Sequence, residues 1–164
     1  MPIQAALSCF ANGKVTASST DPSVPGQLVF NGGRPTKLNG PSRLRLGCTI
    51  EYAIVDSGQP AKPWKVHTTG YIFRLLKSNG SGLVDFHWHP TATPEVSFPH
   101  LHAREYGCKR HYPTGRVMVE DVFVLAIECG AIPGDRAKWQ RVLKANRENF
   151  ALGATWGTSH PSRP

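Results

Sequence analysis

The sequence predicts an α+β fold, an antiparallel sheet of three to five strands followed by two C-terminal helices packed on one face. Three observations carry this expectation. Leu44, Leu46, Cys48, Ile50, Tyr52 and Ile54 alternate with Arg45, Gly47, Thr49, Glu51 and Ala53, the period of two that marks a half-buried strand. Asn79-Gly80 lies between two extended runs and is a strong short-range hairpin signal. After Pro113-Thr114-Gly115 the apolar residues Val119, Val122, Phe123, Ala126 and Ile127 recur at three and four, the spacing of an amphipathic helix.

Taken in order, residues 1–42 are rich in Ser, Thr, Pro, Gly and Asn and read as an irregular N-terminal arm with at most a short strand at 27–30. Residues 43–156 read as a single α+β domain and 157–164 as a flexible tail. Within the domain, 64–76 is a second strand rich in β-branched and aromatic residues, with Gly70 marking a bulge or bend. The run 83–89 returns antiparallel to it. Pro90, Pro94 and Pro99 stiffen the connector that leads to a further strand edge. The helix that opens near Val119 closes at Gly130, and its Glu120 and Asp121 suit the positive end of the helix dipole. A second helix starts from Gly134-Asp135, with Trp139, Val142, Leu143, Asn146 and Phe150 on one stripe. Arg136, Lys138, Arg141, Lys144 and Arg147 lie on the other.

The histidines are concentrated. Four of the seven fall in His87-Trp88-His89-Pro90 and Pro99-His100-Leu101-His102. In a strand, residues i and i+2 share a face about 7 Å apart, so each His-x-His pairs two imidazoles and sends Trp88 or Leu101 the other way. After the hairpin, Val84, Phe86 and Trp88 should form an apolar face, and Asp85, His87 and His89 a working one. His67 is on a separate strand and carries no assignment.

The chain of 164 residues has 19 Lys and Arg against 11 Asp and Glu, a net charge of +8 with neutral histidines. That balance favours phosphate-rich partners. Cys9, Cys48, Cys108 and Cys129 form no Cys-x-x-Cys pair, so neither a zinc ribbon nor a redox motif is indicated. The first ten residues lack a basic segment with an apolar run, and no stretch of about 18 apolar residues occurs. A cytoplasmic protein without a membrane partner is expected.

Residues 71–102 resemble the core of the TumE-type toxins of prokaryotic toxin-antitoxin pairs. The likeness lies in a strand, a short hairpin, a His-x-His strand end, a proline-containing connector and the Phe98-Pro99-His100 cluster. It continues through residues 111–117, the Glu120-Asp121 helix start and the helix at 139–150, similar to related uncharacterised bacterial proteins. This chain departs from the family in having Leu101 and no lysine in its second cluster, so a lysine role is either missing or supplied by Lys109 or Arg104. The resemblance implies RNA damage as the activity and an antitoxin protein as the partner.

A metal-free ribonuclease needs a base, an acid and a phosphate-binding cation. His87, His89, His100 and His102 are the catalytic candidates, with His89 and His100 as the acid–base pair. Arg104, Arg110, Tyr112 and Arg116 are the substrate-binding candidates. No metal or other cofactor is expected on this reading. Two alternatives use the same residues: a non-enzymatic nucleic-acid or protein binding module with structural histidines, and a metal-dependent hydrolase in which the histidines ligate an ion and Asp85 orients one of them.

Overall fold

A computed structural model describes residues 2–90 and 96–153. The expected α+β class holds, but the antiparallel sheet has eight strands rather than three to five. Three of the additional strands come from the stretch expected to be irregular: β1 (Val15–Ala17), β2 (Gly26–Phe30) and β3 (Thr36–Lys37). β2 takes in the short strand expected at 27–30, and β1 and β3 are too short for a periodic pattern to show. β1 pairs with β2, and β2 and β3 both pair with the edge of β4 (Arg45–Asp56). The same stretch opens with a helix, α1 (Pro2–Phe10), which buries Ala6, Leu7, Cys9 and Phe10.

The central hairpin of β4 and β5 (Trp64–Leu76) is antiparallel from Arg45 opposite Leu76 to Asp56 opposite Trp64. Its register slips where Glu51 faces Gly70 and Tyr52 faces Thr68, leaving Thr69 as the extra residue of a bulge. Gly70 is needed there for space. A Cβ on it would lie 3.0 Å from the Trp88 carbonyl oxygen and 2.7 Å from the Glu51 carboxylate. The Asn79-Gly80 turn follows, with Gly80 at φ +87° and the Asn79 Oδ1 accepting from the Ser81 N–H at 2.9 Å. The chain then returns as β6 (Gly82–Trp88), pairs with β7 (His100–His102), and ends the sheet at β8 (Tyr112–Pro113). Most of the expected connector, including Pro94, lies outside the described residues, as does the tail at 157–164.

One face of the sheet is apolar. Leu46, Cys48, Phe73 and Leu75 are buried with Tyr71 and Trp88 in one core. Over it lie α1, α2 (Val119–Glu128) and α3 (Trp139–Gly153). Phe123 of α2 stacks on Phe10 at 4.6 Å between ring centres, and Trp139 meets Phe10 edge-on at 6.2 Å, so aromatic contacts join the three helices. Polar ties add to them. Arg147 pairs with Asp121 at 2.6 Å, and the Asn146 amide donates to the Pro2 carbonyl at 2.8 Å and to Glu120 at 3.2 Å. Asp135 caps a turn ahead of α3 by accepting from the Ala137 N–H at 3.1 Å, so the regular helix begins at Trp139.

Candidate histidine centre

The other face of β6 carries Asp85, His87 and His89, while Val84, Phe86 and Trp88 turn towards the core. Pairing with β7 sets His87 opposite His100 and Asp85 opposite His102. The two His-x-His motifs therefore meet side by side. A fifth histidine joins them: His111 precedes β8, which runs along β7, and its ring centre lies 4.6 Å from His102 and 4.7 Å from His100. Adjacent rings among His87, His89, His100 and His102 are 4.9 to 5.9 Å apart.

These side chains are more enclosed than a working strand face suggests. His100 is 0 % exposed, His102 7 % and His87 9 %, whereas His111 is open to solvent. β6 is an interior strand flanked by β5 and β7, and the rings cover one another. The turn at Arg104–Tyr106 also folds back over β6, and Arg104 donates from Nε to the Asp85 Oδ2 at 2.8 Å. Asp85 is itself buried, and the His87 Nε2 stands 3.8 Å from the same oxygen, beyond hydrogen-bond range.

One hydrogen bond fixes the chemistry of the cluster. The His100 Nδ1 lies 3.0 Å from the Phe98 carbonyl, which only accepts, so Nδ1 carries the hydrogen and Nε2 presents a bare lone pair. That Nε2 is buried and has no hydrogen-bond partner among the described residues. The same is true of His87 Nε2, His89 Nδ1 and His102 Nδ1. Each such buried nitrogen costs on the order of 1–3 kcal/mol while unsatisfied.

Burial also favours the neutral form of His87, His100 and His102. It is the main reason that His87 is pushed down to about 4, with repulsion from His102 adding to it and Asp85 opposing it. Burial lowers His100 as well, against the Phe98 hydrogen bond. It lowers His102 too, helped by Arg104 and the neighbouring rings. Neutral imidazole is the form that binds metal ions. Two trios bring nitrogens within 4.8 Å of one another: His87 with His89 and His100, and His100 with His102 and His111. A tetrahedral zinc site has ligand nitrogens about 3.4 Å apart, so closure on an ion needs ring shifts of about an ångström. His100 belongs to both trios but has one lone pair to give, so only one trio at a time can use it.

The substrate-binding candidates separate. Arg104 lies on the histidine side but is committed to Asp85. Arg110 and Tyr112 flank His111 and are exposed. Arg116 is on the opposite face, its guanidinium carbon 3.8 Å from the Trp88 ring centre, and so does not join the cluster. The chain crosses to the helix side at this point, where the Val117 N–H donates to the Tyr71 hydroxyl at 2.9 Å. Sequence spacing did not single out His111, whose approach depends on Gly107 turning the chain at φ +64°.

No protein-family model, curated protein or solved structure matches the chain. Among the described residues no helix is long and apolar enough to cross a membrane.

Proposed function

We propose that the five-histidine cluster is a transition-metal centre, best suited to zinc, and that its ion activates water for the hydrolysis of RNA phosphodiesters. The observation that carries this reading is the set of four buried imidazole nitrogens without hydrogen-bond partners, converging from two paired strands. An imidazole site favours zinc, copper, nickel or iron over magnesium or calcium, and zinc needs no redox partner for hydrolysis. His100, His102 and His111 are the ligands of choice, because the exposed His111 gives ion, water and substrate a way in.

Three protein ligands leave a fourth position for water, whose pKa the ion lowers to about 7. With an ion held by His100, His102 and His111, that water would serve as the nucleophile on phosphorus, the new P–O bond forming as the bond to the leaving oxygen breaks and water protonates that oxygen. Lys109 and Arg110 stand beside His111 in the chain as cations for the phosphate. From sequence alone, metal-free acid–base catalysis ranks first. Burial of His87, His100 and His102, which lowers their pKa values and so disfavours the protonated form that a metal-free acid needs, supports placing the metal reading ahead.

RNA as the substrate draws support from the net charge of +8 and from the resemblance to TumE-type toxins. An antitoxin partner rests on that resemblance alone, and action in the cytoplasm on the lack of a signal-peptide pattern in the first ten residues and of a long apolar run. The test is incubation of metal-stripped chain with mixed RNA, with and without added zinc, beside His100→Ala. Zinc-dependent cleavage that falls at least a hundredfold in the variant is expected. Cleavage that persists in chelator returns the reading to a metal-free acid–base pair, and zinc binding without any cleavage removes RNA hydrolysis from it.

A further inference from the structure

The helix side of the sheet contains a feature that the histidine chemistry does not use. Between β4, β5 and the segment leading into α2 lies a cleft of about 490 Å3, with Ile50, Tyr52, Tyr71, Trp88, Val117 and Phe150 among its lining residues. Its size falls in the range of small-molecule sites, as does the combination of an apolar wall with a few polar groups. The surrounding core is otherwise well filled, with Phe10, Phe30, Phe73 and Phe123 each at most 1 % exposed. A hollow walled by aromatic rings beside such packing is a built recess.

The charges around it are unequal. Among the described residues Lys65, His67 and Arg116 border the cleft, against one acid, Glu120. Glu120 is buried and held by Asn146, and burial raises its pKa, so it opposes an incoming anion weakly. The Arg116 guanidinium carbon stands 3.8 Å from the Trp88 ring centre, which places its charge against the aromatic wall of the cleft. The β4–β5 hairpin carries Lys65 and His67 to the same recess from the other side.

We propose that this cleft binds a small apolar carboxylate, its hydrocarbon or aromatic body against Tyr71 and Trp88 and its carboxylate towards Arg116 and Lys65. The proposal is independent of the metal centre, because Trp88 faces the cleft while His87 and His89 leave β6 on the opposite side.

The experiment is a nuclear magnetic resonance titration of the full chain, labelled with nitrogen-15. Three compounds of one shape are compared: naphthalene-2-carboxylate, neutral 2-naphthylmethanol and cationic 2-naphthylmethylammonium. The expected result is saturable shifts at the Trp88 indole N–H and the Val117 and Val119 amides, with the carboxylate binding at least tenfold tighter than the alcohol and the cation weakest. Arg116→Gln should abolish the preference for the carboxylate while retaining the alcohol. If that variant loses its dispersed spectrum, Lys65→Gln, on the hairpin, should reduce the same preference several-fold. Equal affinity for all three compounds, or shifts confined to the histidine face, would overturn the proposal. So would concentration-dependent shifts of the cleft resonances without added compound, which would make a second copy of the chain the occupant.

Discussion

His100 gives its Nδ1 hydrogen to the carbonyl of Phe98, 3.0 Å away, and thereby turns the lone pair of Nε2 into a cluster of four other imidazoles. A carbonyl-anchored histidine of this kind is the usual way a protein fixes the tautomer and direction of a metal ligand. Because both trios share His100, its loss should be felt more than that of any neighbour. His100→Ala is expected to weaken zinc binding at least a hundredfold by calorimetric titration. His89→Ala lies outside the trio that opens to solvent and should change affinity less than tenfold.

Zinc should also stabilise the fold, since the ligands converge only when β6, β7 and the segment before β8 are paired. At a free zinc concentration one hundred times the Kd the gain is about 2.7 kcal/mol. In a chain of this size that is a rise in Tm of roughly 6–10 °C, readable by differential scanning calorimetry. Magnesium at the same concentration should give no rise, because imidazole is a poor ligand for it.

Asp85 is 4 % exposed and depends on Arg104 for its charge partner, while Arg104 itself keeps 43 % of its side chain in solvent. Arg104→Met would leave a buried carboxylate without its cation. After allowance for the exposed half of the pair, the expected loss is about 2 kcal/mol in urea unfolding. Adding Asp85→Asn should recover most of that loss, because the uncompensated charge is the source of the cost.

Glu120 offers a pH test away from the histidines. Burial raises its pKa in the fold, so the folded chain holds a proton there that the unfolded chain has released. Its contribution to stability is therefore greatest in acid and declines as pH rises from the unfolded carboxyl's value through the folded one. Glu120→Gln keeps an oxygen for Asn146 and removes the charge. The variant should melt above the native chain at pH 7, and the gap should close as pH falls below the ordinary glutamate range.

Much of the central fold was legible because its elements are long enough to display a period. β4, β6 and α2 show theirs over seven residues or more, β5 is marked by its β-branched and aromatic residues, and Gly70 signals its bulge. α1 has nine residues, and the Ser- and Gly-rich sequence after it masked the burial of Leu7 and Phe10. β1, β3 and β8 hold two or three residues each and exist by pairing with neighbours, which no local pattern records. At the site, the doubled His-x-His was visible from spacing. His111 was not, because a turn and a strand pairing bring it to His102, and neither shows in spacing. Arg116 shows the converse: its nearness in sequence to Arg110 and Tyr112 hides a crossing to the other side of the sheet.

Cobalt(II) substitution tests the metal centre most directly. Metal-free chain titrated with cobalt should develop an intense visible ligand-field band, as four-coordinate imidazole sites do, reaching saturation at one ion per chain. His100→Ala and His102→Ala should each abolish it. A weak, unsaturating spectrum, or an intense band that survives both substitutions, would contradict the assignment of these histidines as ligands.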